Sequence, residues 1–155
     1  MGLDHGTWSV LSKVYPDARF PVVQLSIDVS RPPAYHFDVG RRLVPLRDEG
    51  VLIMGSGNVV HNLMLLRRDE EFAYDWAVRF NDDIRENLLS HRFDKLVDYE
   101  SFGEAAALSA PTPEHFYPLL YAAGAAEDDD AAVATDGVYS GAISMLSVIF
   151  GGGHA

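Results

Sequence analysis

Two apolar, β-branched runs on either side of a helix-like segment constrain this chain more than any other feature. Phe20 to Ile27 reads FPVVQLSI, and Val51 to Met54 reads VLIM. Both have strand length, and Val51 to Met54 is apolar throughout, which is the pattern of a strand covered on both faces. Between them, Arg31-Pro32-Pro33 opens a helix that carries Phe37, Val39, Leu43 and Leu46 on roughly one face, weakened by Gly40 and Pro45. Asp48-Glu49-Gly50 supplies the turn. Two covered strands joined by a helix predict a parallel βαβ unit. The expected class is α/β, a three-layer sandwich with a mainly parallel or mixed central sheet.

The rest of the chain continues in the same alternation. Thr7 can cap a short helix through Trp8 and Val14 that ends at Pro16-Asp17. Phe72 to Leu89 is the strongest amphipathic helix, with Trp76, Phe80, Ile84 and Leu88 at four-residue spacing. Phe93 to Tyr99 reads as a short helix or turn. Thr112 and Pro113 fit the N-cap and first position of a helix running through Phe116 and Leu120. Glu127 to Asp130 is an acidic loop, and Val138 to Phe150 reads as one or two closing strands. Residues 1–150 are expected to form one domain, with 151–155 a flexible tail.

Composition removes several functional classes. There are no cysteines, so a metal could be held only by nitrogen and oxygen donors. The chain carries 12 basic and 23 acidic residues, a formal net charge of −11, which opposes binding to nucleic acid or an anionic membrane surface. No basic, then apolar, leader pattern is visible at Met1 to His5, and the apolar stretches break well short of the ~18 residues a membrane span needs. A soluble cytoplasmic protein is the expectation.

Six histidines carry the candidate chemistry. His36 and His91 lie in polar helical contexts and are read as surface or boundary residues; His154 lies in the tail. The other three sit beside turn-forming residues. His61 follows an apolar strand by way of Gly55-Ser56-Gly57-Asn58, where open α/β sheets bind ligands; a tight connection with an incidental histidine fits equally. The GSGN loop lacks the lysine of a P-loop. His5 follows Asp4, whose carboxylate could raise its basicity for acid–base work, although Asp-His-Gly is also an ordinary turn. His115 lies in the first turn of its helix, where it would stay neutral as a metal ligand must, or would simply be a capping-turn residue. The three are 56 and 54 residues apart, so any common site must be assembled by the fold.

The strings LDHGTWSVL (Leu3 to Leu11), PVVQLSID (Pro21 to Asp28), GRRLVPLRDEGVLIMGSGNVVHNL (Gly40 to Leu63), PTPEHFYPLLYAAGA (Pro111 to Ala125) and SMLSVIFG (Ser144 to Gly151) resemble the class III extradiol ring-cleavage dioxygenases, the LigB-like family. The resemblance is closest to the 4,5-DOPA dioxygenase branch. It implies one divalent metal, Fe(II) for activity, with Zn(II) able to occupy the site. It implies a small catechol substrate chelated through both oxygens and opened with O2 next to the diol, in a protein that can form a homo-oligomer. By motif, His61 and His115 correspond to metal-site histidines and His5 to an acid–base residue. The equivalent of His61 is also discussed as an acid–base group, so His61 carries both roles.

The chain departs from the family's pattern in two respects. Members are longer, with an N-terminal half bearing two further metal-site histidines, so this chain matches the C-terminal portion and its sheet would be incomplete. A metal held by His61 and His115 alone would bind weakly and exchange. Met64 stands where the family often has arginine. Two other readings accompany the dioxygenase: a truncated, non-catalytic remnant that folds or binds small aromatics, and a zinc-dependent non-redox enzyme on the same scaffold.

Overall fold

The long amphipathic helix organises the molecule because its apolar side chains recur on one face. In the computed structural model, which describes residues 5–17, 19–126 and 129–151 and leaves out the residue 5 side chain, that helix is α3 (Asp75–Leu89). Phe80, Ile84 and Leu88 are fully buried on it. They meet Val60, Leu96, Phe116 and Leu120 in one core. The aromatic contacts are edge-on or tilted, with Phe80 and Phe116 centroids 6.0 Å apart and Tyr99 and Phe116 4.2 Å apart.

The remaining helices are α1 (His5–Val14), α2 (Pro33–Asp48), α4 (Phe93–Val97), α5 (Glu104–Ser109) and α6 (Tyr117–Ala125). α2 runs through Pro45 without ending there. It crosses α6 very closely, because a Cβ built on Gly40 would lie 2.3 Å from the Tyr121 carbonyl oxygen and one on Gly124 2.2 Å from that of Phe37. Gly40, read from sequence as a helix weakener, is therefore a packing residue. Arg47 ties the ends of the two helices together by donating to the Ala125 carbonyl at 2.6 Å and pairing with Asp129.

His36 corrects the expectation of a surface position. It is fully buried between α2 and α6, stacked on Tyr117 at 4.0 Å. Its Nε2–H donates to the Arg31 carbonyl at 3.3 Å, so Nδ1 is left to accept from the Tyr121 hydroxyl at 2.9 Å. Burial pushes its pKa below the ordinary imidazole value. His91 is exposed, as expected, and adopts a positive φ of 53°.

Helix and strand are mixed, but the pairing differs from the expectation. The strands are β1 (Ala131–Thr135), β2 (Val138–Tyr139), β3 (Ile143–Ser144) and β4 (Ser147–Phe150). They form two antiparallel two-stranded sheets, β1 with β4 and β2 with β3. The parallel ladder expected between 20–27 and 51–54 is not formed: no residue of 21–28 or 51–58 lies in a strand or bridge. Apolar, β-branched sequence makes a run able to be a strand; a hydrogen-bonding neighbour makes it one. Most of both runs is exposed, and Val23 is 93% exposed. No helix among the described residues is long and apolar enough to cross a membrane. The expected tail lies outside the described residues from 152 onward.

Candidate functional site

His61 is held by backbone hydrogen bonds on both sides. Its N–H donates to the Ser109 carbonyl at 2.8 Å, at the end of α5. It also forms an isolated antiparallel bridge with Ile143 of β3. Around it, Ser144 N–H donates to Val60 O at 2.9 Å, Asn62 N–H to Ala142 O at 3.1 Å, and Asn62 Nδ2 to Leu108 O at 2.8 Å. The segment is thus clamped between a helix end and a strand.

His115 closes a single 3-10 turn, Pro113–His115, immediately before α6. The turn starts after Thr112, but the Thr112 side chain does not cap it; its hydroxyl donates to Glu114 Oε1 at 2.7 Å. The glycines of the 55–58 loop bring this turn to His61. A Cβ on Gly57 would lie 2.2 Å from the His115 carbonyl oxygen, and one on Gly55 2.4 Å from that of Pro118. Only a residue without a side chain lets the two backbones approach so closely.

The two imidazoles stack, with centroids 3.5 Å apart and planes at 17°. Burial, and then the adjacent His115, push the pKa of His61 below the ordinary imidazole value, against the opposing pull of the Glu114 carboxylate. Burial raises the Glu114 pKa, but the Thr112 hydroxyl, its own backbone and the two imidazoles outweigh it and hold that carboxyl below its usual value. Both rings are partly buried. His115 also lines a cavity of about 350 Å³, a volume suited to a small molecule, together with Gly6 and Ser9 of α1, Ser56, Asn58 and Ser147. A larger cavity of about 710 Å³ lies elsewhere, between α2, α4 and α6, and touches none of these histidines.

The fold therefore brings together His61 and His115, separated by 54 residues in sequence. The His5 side chain lies outside the described residues; its backbone starts α1, whose next residue, Gly6, lines the cavity. Neutral imidazole nitrogen suits a divalent metal, and the lowered pKa of His61 keeps that ring neutral. The number of donors is smaller than such a site needs, because no group of three or more His, Cys, Asp or Glu is set to hold a metal among the described residues.

A polar network behind the cavity wall was not anticipated from sequence. Asn58 Nδ2 donates to Ser144 O at 2.6 Å, and the buried Ser144 hydroxyl donates to Asn81 Oδ1 at 2.6 Å. Asn81 Nδ2 donates in turn to Asp136 Oδ1 at 2.8 Å, and Asp136 pairs with Arg85. These contacts fasten the Asn58 loop to α3. One signal was present: Asn81 falls on the apolar face of α3 beside Ala77, Phe80 and Ile84, where a polar residue needs a partner.

The structure is a mixed helix-and-strand scaffold with two stacked imidazoles, one of them lining a cavity of about 350 Å³. The chain belongs to the family described as the catalytic LigB subunit of aromatic ring-opening dioxygenase, which matches residues 1–151. It is 45% identical to a protein named 4,5-DOPA dioxygenase extradiol from Escherichia coli (strain K12), over 97% of this chain and 57% of that protein. A protein of the same name from Beta vulgaris is 37% identical over 92% of this chain and 53% of its own length. A crystal structure of an uncharacterized Escherichia coli K12 protein superposes with a TM-score of 0.87 at 46% identity, covering 96% of this chain and 62% of that one. The chain thus spans little more than half the length of the curated relatives it matches.

Proposed function

We propose that this chain carries part of the ring-opening site of an extradiol dioxygenase that acts with O2 on a DOPA-like catechol. His61 and His115 are the proposed metal donors, and His5 the acid–base residue. The observation that carries this reading is the pair of imidazoles stacked at 3.5 Å, one of them lining the cavity. The names of the relatives, 4,5-DOPA dioxygenase extradiol, supply the substrate class.

A divalent ion held by His61 and His115 would supply Lewis-acid chemistry as either Fe(II) or Zn(II), and redox chemistry with O2 only as Fe(II). The chain's own residues supply the setting. The lowered pKa of His61 keeps its nitrogen lone pair available at neutral pH. A catechol must lose a hydroxyl proton to chelate, and His5, at the start of the helix whose Gly6 and Ser9 line the cavity, is the proposed acceptor. Ser56, Asn58 and Ser147 offer polar groups along the wall for the ring's oxygens and side chain.

The test is anaerobic loading with Fe(II), then addition of DOPA and air, with oxygen uptake and the yellow ring-opened product followed together. The reading expects both, and expects His115→Ala to abolish both. Metal binding without oxygen uptake would overturn it in favour of a non-redox enzyme. A second reading, a domain that folds and binds without turnover, is favoured by the donor count of the described residues; it expects neither tight metal binding nor product.

A further inference from the structure

Asn58, on the wall of the cavity that His115 lines, has its hydrogen-bonding sense fixed by a chain of partners that starts on α3. Asp136 pairs with Arg85 and accepts from Asn81 Nδ2 at 2.8 Å. Burial raises the Asp136 pKa, but Asn81, Arg85 and the Gly137 N–H outweigh it, so the carboxylate can only accept. The Asn81 amide must therefore turn its NH2 to Asp136 and its oxygen to the Ser144 hydroxyl, which donates at 2.6 Å. That hydroxyl accepts in turn from Leu146 N–H at 3.0 Å, and Ser144 N–H donates to Val60 O at 2.9 Å. Held at these three points, Ser144 sets its carbonyl to accept from Asn58 Nδ2 at 2.6 Å. A carbonyl cannot donate, so the Asn58 amide cannot turn over and its oxygen is committed to the other side.

Among the described residues no donor reaches Asn58 Oδ1, and Ser109 Oγ is the buried polar side-chain atom left without a partner, so Oδ1 is open rather than buried. The described lining of the cavity holds no Asp, Glu, Lys or Arg, so hydrogen bonds rather than ion pairs decide what fits. The serine hydroxyls on the wall can rotate to donate or accept, whereas Asn58 can offer only an acceptor. We propose that Asn58 is a specificity-determining residue: its Oδ1 accepts a hydrogen bond from a hydroxyl or ammonium on the side chain of the bound catechol and disfavours a group that can only accept. That the ligand is a catechol rests on the proposed ring opening; the direction of the hydrogen bond rests on Asn58 and its partners alone.

The test uses two neutral isomers, hydroxyethylcatechol, whose side chain can donate, and methoxymethylcatechol, whose side chain can only accept. Each is titrated into the full chain and followed by amide NMR, including the Asn58 side-chain NH2. The wild-type chain should bind the hydroxyethyl isomer more than about fivefold more tightly, the worth of one hydrogen bond. Asn58→Ala should bring the two affinities to within about twofold of each other, with the α3 amide signals unmoved. Asn58→Ser, whose hydroxyl can turn either way, should lose the preference too, and keeps the test open where the alanine protein does not fold. Equal affinities in the wild-type chain, a preference that survives both substitutions, or no binding of either isomer would overturn the proposal. Oxygen uptake by the Fe(II)-loaded chain with no isomer preference would sink this assignment alone; a preference lost on substitution, without oxygen uptake, would sink the ring opening alone.

Discussion

Gly57→Ala isolates the contact that brings the loop before His61 against the backbone of His115. The added Cβ would sit 2.2 Å from the His115 carbonyl oxygen, with the carbonyl carbon at 3.1 Å and Cα at 3.3 Å. The clash is with backbone, so no side-chain rotation relieves it; loop or turn must retreat by about 1 Å to reach ordinary contact. Overpacking of this kind costs about 1–3 kcal/mol. At about 2–4 °C per kcal/mol for a chain of this size, the melting temperature should fall by roughly 2–12 °C. The displaced turn also separates the imidazoles, so affinity for Zn(II) should fall by more than about tenfold, because ligand geometry at a metal site is strict. Calorimetric zinc titration and thermal unfolding read both effects. Gly50→Ala is the control, with φ of +81° and nothing within 4 Å of its new Cβ. It should cost about 1 kcal/mol of backbone strain and leave zinc affinity unchanged. A Gly57→Ala protein with wild-type melting and zinc affinity would refute the close approach.

Other consequences follow from the same packing. Gly124→Ala would place a Cβ 2.2 Å from the Phe37 carbonyl, and urea unfolding should show a loss of about 1–3 kcal/mol as α2 and α6 part. Tyr121→Phe removes the donor to buried His36 Nδ1 and should cost about 1–3 kcal/mol by the same assay. The folded pKa of His36 is depressed, so its contribution is complete above the unfolded imidazole value of about 6.5 and is lost as pH falls from there through the folded pKa. Unfolding midpoints should decline over that window, and His36→Phe should flatten the decline. Asn81→Leu takes away the acceptor of the buried Ser144 hydroxyl and one of the two donors to Asp136 Oδ1, which keeps the Gly137 N–H; a loss of about 1–3 kcal/mol by urea unfolding is expected.

The sequence made the helices legible wherever side chains repeat on one face. Phe80, Ile84 and Leu88 announced α3, although Tyr74 is drawn out of the helix to donate its N–H to Gly141 O at 3.1 Å, a tertiary contact no local pattern encodes. Turn-forming neighbours singled out His61 and His115 in the sequence without deciding between a site and an incidental position, and only the family resemblance paired them. The geometry of the pair was not legible, since the 2.2 Å constraint at Gly57 exists only between distant segments. Strand pairing was the least legible. The runs at 20–27 and 51–54 carry strand-forming residues without a ladder, whereas β1, reading AAVAT, has little β-forming character and pairs because β4 lies beside it. His36 was misread because its neighbours Tyr35 and Asp38 are exposed, while its own position points at the α6 tyrosines.

Imidazole nitrogen NMR during titration with Zn(II) addresses the convergence of His61 and His115 directly. If both rings hold one ion, a coordinating nitrogen of each moves in parallel at a shared stoichiometry, and His61→Ala removes the response of His115. Movement of one ring alone, or a His115 response untouched by His61→Ala, would contradict a common site.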